Sequence, residues 1–276
     1  PPPGQDHRPP GEPPLQVPQP DLHVPLLGPV EKKVSPRRKT ILNQGPRSGR
    51  RGLIDLTEVD RHVELELIPR SVADAVRARL RVLEEAIRDV EAASGVPYPH
   101  PAVAPYLIVL VYAADVFIEA NTYARVLVRP SEASGLEFSV EFTAPLLLYG
   151  SRRTIEAVAA HELTHYLLYA KKFHDYGAVQ LLPPEGYFEA FEVDEELAVP
   201  PERVFRPRSR FIRLLRTRMA EGLRDRALDA RTQRYWVARG LPVIRLTQEQ
   251  NLVRIPVEYA ARFRADERLL RKLESL

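Results

Sequence analysis

The sequence predicts an α+β fold, and three observations lead to it. Leu80, Leu83, Ile87 and Val90 recur at helical spacing inside a stretch of good helix formers. Three segments rich in β-branched and aromatic residues follow, at 106–113, 123–129 and 136–143, separated by polar breaks. A second stretch free of Pro and Gly, RRTIEAVAAHELTHYLLYAKK, then begins just after Ser151. The expected order is a helix, a small antiparallel sheet and a second helix, within a domain spanning residues 52–202.

Residues 1–51 read differently. Thirteen of the 27 prolines of this 276-residue chain fall within residues 1–50, so neither a helix nor a central strand is sustained there. An extended, polyproline-like arm is expected, ending in a basic connector. The domain opens with VELELI (63–68), whose alternation predicts a short strand. Ser71 is placed to cap the helix that follows, and Gly95 to end it. Beyond Ser151, a third helix is expected from about Gly186 to Val199, stopped by Pro200 and Pro201. Residues 203–276 form an Arg-rich extension, expected to be one long helix from Ser209 to Arg239 and a last one reaching Leu273. Between them Thr247 and Gln250 suggest a capping box.

At 44% hydrophobic and 28% charged, the chain has globular rather than disordered composition. No apolar run is long enough for a membrane span, and the start lacks the layout of a secretory signal, so a cytoplasmic protein is expected. With no cysteine, disulfides, thiolate metal sites and cysteine nucleophiles are excluded. The high Arg and Pro content and single Met suit a thermophile. Net charge is +3, but residues 61–199 carry −9 and residues 200–276 carry +10, while residues 31–51 carry +7. These basic flanks either fold onto the acidic middle or meet a nucleic acid or ribonucleoprotein; Phe211, Tyr235 and Trp236 within the tail suit stacking on bases.

His161-Glu162-Leu163-Thr164-His165 is an HExxH sequence. On a helix, residues four apart share a face one turn apart, so two imidazoles can converge on one Zn²⁺. Glu162 then stands beside the metal as the general base for hydrolysis. Zinc needs a third protein ligand. Leu168 and Lys171 stand where a metzincin would have Gly and His, which removes that class. His174, nine residues past His165, is a candidate if the chain turns back, and YFEAFEVDEELAVPP supplies several carboxylates. Tyr166, Tyr176 and Tyr187 are candidate oxyanion donors, although core packing is the commoner role for such residues. Arg152 and Arg153 oppose the helix dipole and call for an acidic partner, or for a substrate carboxylate.

Over residues 70–202 the chain resembles the gluzincin side of the zincin metallopeptidases, in particular the minigluzincins and the ImmA/IrrE-type enzymes. The likeness rests on Arg153-Thr154-Ile155 leading into AAHELTH, and on Glu189-Ala190 standing eleven residues before Pro200. It implies a zincin-like fold and a zinc-dependent peptidase acting on peptides or proteins. It also implies His161, His165 and Glu189 as metal ligands and Glu162 as catalytic base, with Glu185 and Glu192 as rivals for the third ligand position. A peptide substrate is expected along an edge strand just before the zinc helix, at 136–143.

Overall fold

The computed structural model describes residues 53–113, 117–179, 187–191, 198–219, 222–247 and 252–276. The Pro-rich arm therefore lies outside the described residues. Ser48–Leu276 form one compact unit, so the Arg-rich tail and the central segment fold together.

The first element is a helix, α1 (Thr57–Glu64), where a strand was expected over 63–68. Only Val59 of it is buried, and Leu65 and Leu67 beyond it are 57% and 52% exposed. The alternation in VELELI thus marks no buried sheet face. The long helix α2 (Arg70–Ser94) buries Leu83, Ile87 and Val90, begins just after Pro69 and ends at left-handed Gly95. Two short strands follow, β1 (His100–Ala104) and β2 (Leu107–Ala113), then β3 (Phe117–Thr122), β4 (Ala124–Ser131) and β5 (Gly135–Thr143).

These strands build mixed sheets rather than one antiparallel sheet. β5 runs between β1, which is parallel to it, and β4, which is antiparallel. The 136–143 strand is therefore central, not an edge as expected. On its far side β1 meets Asp55, which donates its N–H to Pro101 O (2.8 Å) and accepts from Val103 N (3.0 Å). That leaves β4 as the open edge among the described residues.

A short helix, α3 (Ala144–Tyr149), leads through Gly150 into the 28-residue α4 (Arg152–Val179). Gly150 is required by a close approach, since a Cβ there would sit 2.5 Å from Leu146 O. Arg79 of α2 fixes the corner by donating to Leu147 O (2.9 Å) and Gly150 O (2.8 Å). Ser151 Oγ caps α4 by accepting from Thr154 N (3.1 Å). Buried Ile155, Leu163, Leu167, Ala170 and Phe173 bind α4 to the core, which it shares with α2 and β5.

Residues 187–191 form a strand, β6 (Tyr187–Phe191), where a helix from about 186 to 199 was expected. A short helix α5 (Pro201–Val204) precedes α6 (Arg210–Arg218) and α7 (Arg226–Tyr235). The expected single helix from Ser209 to Arg239 is thus broken, because Asp225 caps a new helix by accepting from Leu228 N (3.1 Å). Thr247 lies in a strand, β7 (Val243–Thr247), which pairs parallel to β2, and β8 (Leu252–Pro256) pairs antiparallel to β6. Thr247 thus ends a strand, and the rest of the expected capping box, with Gln250, lies outside the described residues. The helices α8 (Val257–Arg262) and α9 (Glu267–Glu274) complete the chain. No described helix is long and apolar enough to cross a membrane.

Candidate functional site

His161, Glu162 and His165 lie at the middle of α4, where helical spacing turns both imidazoles to the same side. Their Nε2 atoms are 2.9 Å apart, with ring planes at 87° and centroids separated by 4.5 Å. One Nε2 carries the hydrogen of that contact and the other accepts it. Two nitrogens bound tetrahedrally to Zn²⁺ at about 2.0–2.1 Å would stand about 3.3 Å apart. A slight opening of the pair would therefore admit the metal in place of the shared hydrogen. Burial, assisted by the nearby His165, lowers the His161 imidazolium pKa to about 3. At neutral pH the ring is uncharged, which is the form a metal requires.

The pair lines a cleft of about 80 Å³ together with Glu162, Val158, the segment Asn121–Arg125, Met219 and Leu223. Glu162 is only 6% exposed and His165 only 5%. The end of β3, Tyr123 and the first two residues of β4, with Met219 and Leu223, thus line the cleft beside the histidines, and the β4 edge borders it. Arg125 is held there by Glu141, its cross-strand partner, through an Nε–Oε2 contact of 2.8 Å. Glu141 also accepts from the Tyr106 hydroxyl (3.0 Å). Below the motif, Tyr98 donates to Ala159 O (2.8 Å), and its ionisation is pushed well up by burial and then by the charge of Glu162. Thr164 Oγ1 donates to His161 O (2.6 Å), while Val199 N reaches Thr164 O (3.4 Å) and brings the returning chain against the helix.

No protein family, curated protein or solved structure matches this chain.

His161, Glu162 and His165 come together as the motif predicts; the candidates for a third ligand fare differently. His174 lies on the same unbroken helix as His165. Nine residues of helix carry it about 14 Å along the axis and to the opposite side, so it does not return to the pair. Glu189 lies in β6, in register with Arg254 of β8, rather than on a helix. Its side chain, like Glu185 and Glu192, lies outside the described residues. Among the described residues no third His, Asp or Glu completes a metal-binding group.

Tyr166 is a core residue: it packs edge-on against Phe138 at 5.1 Å, and burial, followed by the charge of Asp266, pushes its ionisation up. The side chains of Tyr176 and Tyr187 lie outside the described residues. Arg152 finds acidic partners in Glu85 and Glu156, each at 3.0 Å, as its position at a helix start demands. Phe211 and Trp236 are 1% and 0% exposed, and Trp236 donates its indole N–H to Pro242 O (2.8 Å). They are core residues and present no stacking face to a base, contrary to the sequence expectation. Arg125 went unnoticed in the sequence; its one visible signal is a charge set within YARVLVR. Met219 and Leu223 arrive from the tail by long-range folding and carry no signal of their own.

Proposed function

We propose that this chain is a zinc-dependent metallopeptidase with a zincin-like, gluzincin-type arrangement. The observation that carries the reading is the convergence of His161 and His165 at 2.9 Å, beside buried Glu162 and beneath an open strand edge. His161 and His165 would hold the metal, with Glu189 or a neighbouring carboxylate of the 185–192 segment as third ligand. Bound there, zinc would polarise a peptide carbonyl and acidify a water molecule.

The chain's own groups supply the rest. A peptide laid along β4 would gain main-chain hydrogen bonds from an edge that is unpaired among the described residues, antiparallel strand addition being the simplest mode. Glu162 accepts the proton lost by the attacking water and returns it to the departing amine, so the carboxylate ends as it began. Its burial strengthens its electrostatic interactions and limits competition from bulk water. Arg125, fixed by Glu141 on the neighbouring strand β5, shapes the cleft wall beside the histidines.

Zinc analysis tests the metal part of the reading. One Zn²⁺ per chain is expected for the protein as purified, and Zn²⁺ added to metal-free protein should raise the unfolding temperature. A concentration a hundred times the dissociation constant stabilises by about 2.7 kcal/mol. His161→Ala and His165→Ala should each abolish that rise. A rise that survives both substitutions would place the metal elsewhere.

A further inference from the structure

A second, larger hollow of about 740 Å³ lies between the start of α4, the outer face of α6 and the start of α7. It shares no lining residue with the histidine cleft. Among the described residues six arginines line it (Arg153, Arg210, Arg213, Arg218, Arg224 and Arg226), against two carboxylates, Glu156 and Asp225.

Both carboxylates are already engaged. Glu156 binds Arg152 (3.0 Å) and Arg210 (3.3 Å). Asp225 binds Arg218 (3.3 Å) and accepts from Thr154 Oγ1 (2.5 Å). Arg153, Arg213 and Arg226 are exposed and have no ion pair among the described residues. Their placement also runs against local electrostatics. Arg153 stands in the first turn of α4 and Arg226 opens α7, at helix ends that carry partial positive charge. The first turns of α4 and α6 contain no acidic residue, while α7 has Asp225 as its cap and Asp229 in its first turn. Guanidinium groups gathered at positive helix ends repel one another unless an anion joins them.

We infer that this hollow is a binding site for a compact polyphosphate group, held by Arg153, Arg213 and Arg226. Arginine meets phosphate through paired N–H donors, and three such forks around one cavity suit a ligand with two or more phosphates. The volume lies in the range of small-molecule sites, about 300–1,000 Å³. Among the described residues no aromatic lines it and Leu214 is the one large apolar side chain, so they offer no platform for a base. The phosphates carry the recognition, whether they come from an inorganic chain or from a nucleotide.

Calorimetric titration of the full chain with inorganic tripolyphosphate, at low and at physiological salt, tests this. Binding weakened by salt is expected. Each of Arg153→Gln, Arg213→Gln and Arg226→Gln should cost about tenfold in affinity, and the triple variant on the order of a thousandfold. The triple Lys variant, which keeps charge but loses the fork, should fall between. Arg216→Gln, whose arginine pairs with Glu202 at 2.7 Å outside this hollow, should bind as the parent does. The triple Gln variant should unfold at or above the parent's temperature without ligand, since like charges have been removed. ATP should bind no tighter than tripolyphosphate. Absence of binding at low salt, parental affinity in the triple Gln variant, or binding of ATP alone would overturn the proposal. Capture of single-stranded RNA through these three arginines without tripolyphosphate binding would also overturn it, in favour of a nucleic-acid surface. Zinc loading is irrelevant to every one of these readings, so failure here leaves the peptidase proposal untouched.

Discussion

Replacing Glu141 with Gln tests how the cleft wall is held. Glu141 Oε2 accepts from Arg125 Nε at 2.8 Å, and Oε1 accepts from the Tyr106 hydroxyl at 3.0 Å. The Arg125 and Glu141 side chains are 16% and 9% exposed, so solvent only partly screens the pair. Gln retains one acceptor, presents an amide donor to one of two donors and removes the counter-charge. Breaking a fully buried pair costs about 3–5 kcal/mol, and a hydrogen bond to a charged group is worth about 1.5–3. Because Arg125 borders the open cleft, the expected loss lies near the lower end, about 2–3 kcal/mol. Guanidinium denaturation at neutral pH would read it as a lower midpoint with an unchanged slope. The double substitution Arg125→Met with Glu141→Leu should recover part of the loss, because the two paired charges are then removed together. A coupling below about 0.5 kcal/mol in the double-mutant cycle would refute the claim that this pair fixes the strand edge.

Two further perturbations probe the frame around the site. Asp225 has a pKa below its ordinary 3.8: burial raises it, but hydrogen bonds from Thr154 and from the Leu228 N–H, with the charge of Arg218, outweigh burial. Its contribution is therefore present above the ordinary value and disappears as pH falls through the lowered one. Asp225→Asn should cost about 1 kcal/mol at neutral pH, and the gap from the parent should close on acidification below about pH 4. A gap that stays constant with pH in acid denaturation would contradict the assignment. Gly135 has φ +77°, and a Cβ there would lie 2.7 Å from Arg262 C and 2.8 Å from Phe263 N. Gly135→Ala should therefore destabilise by about 3 kcal/mol in the same denaturation assay, and a loss below about 1 would show that the α8 end yields easily.

The elements legible in the sequence were those with a long, local signal. The stripe Leu83, Ile87, Val90 gives α2, and the run from Ser151 gives α4 with its two histidines on one face. Where the signal was short, tertiary pairing decided. The 187–191 segment, YFEAF, leads into the acidic run EVDEELAV that suggested a helix, yet it extends to pair with β8, a partner more than sixty residues away. β1 contains Pro101 and reads poorly as a strand, so β5 looked like an edge. Its pairing with β1 transferred the exposed edge to β4 and moved the expected substrate track with it. The break in the tail had a local mark in Gly222, at φ +79°, and in Asp225 as a helix cap. The catalytic candidates were thus visible in five consecutive residues, while the rest of the cleft is lined by two distant segments, 121–125 and the tail residues Met219 and Leu223. No local pattern encodes such an assembly.

The central claim is that Glu162 is the base of a peptide-hydrolysing centre built on His161 and His165. Digestion of a peptide library by the zinc-loaded parent and by Glu162→Gln, purified side by side, tests it most directly. Gln keeps the shape of the buried side chain and cannot accept the proton. The account predicts cleavage by the parent, with zinc content and unfolding temperature preserved in the variant and its turnover reduced by at least about 10²–10⁴-fold. Equal turnover by the two zinc-loaded proteins, or no cleavage of any peptide by the parent, would contradict it.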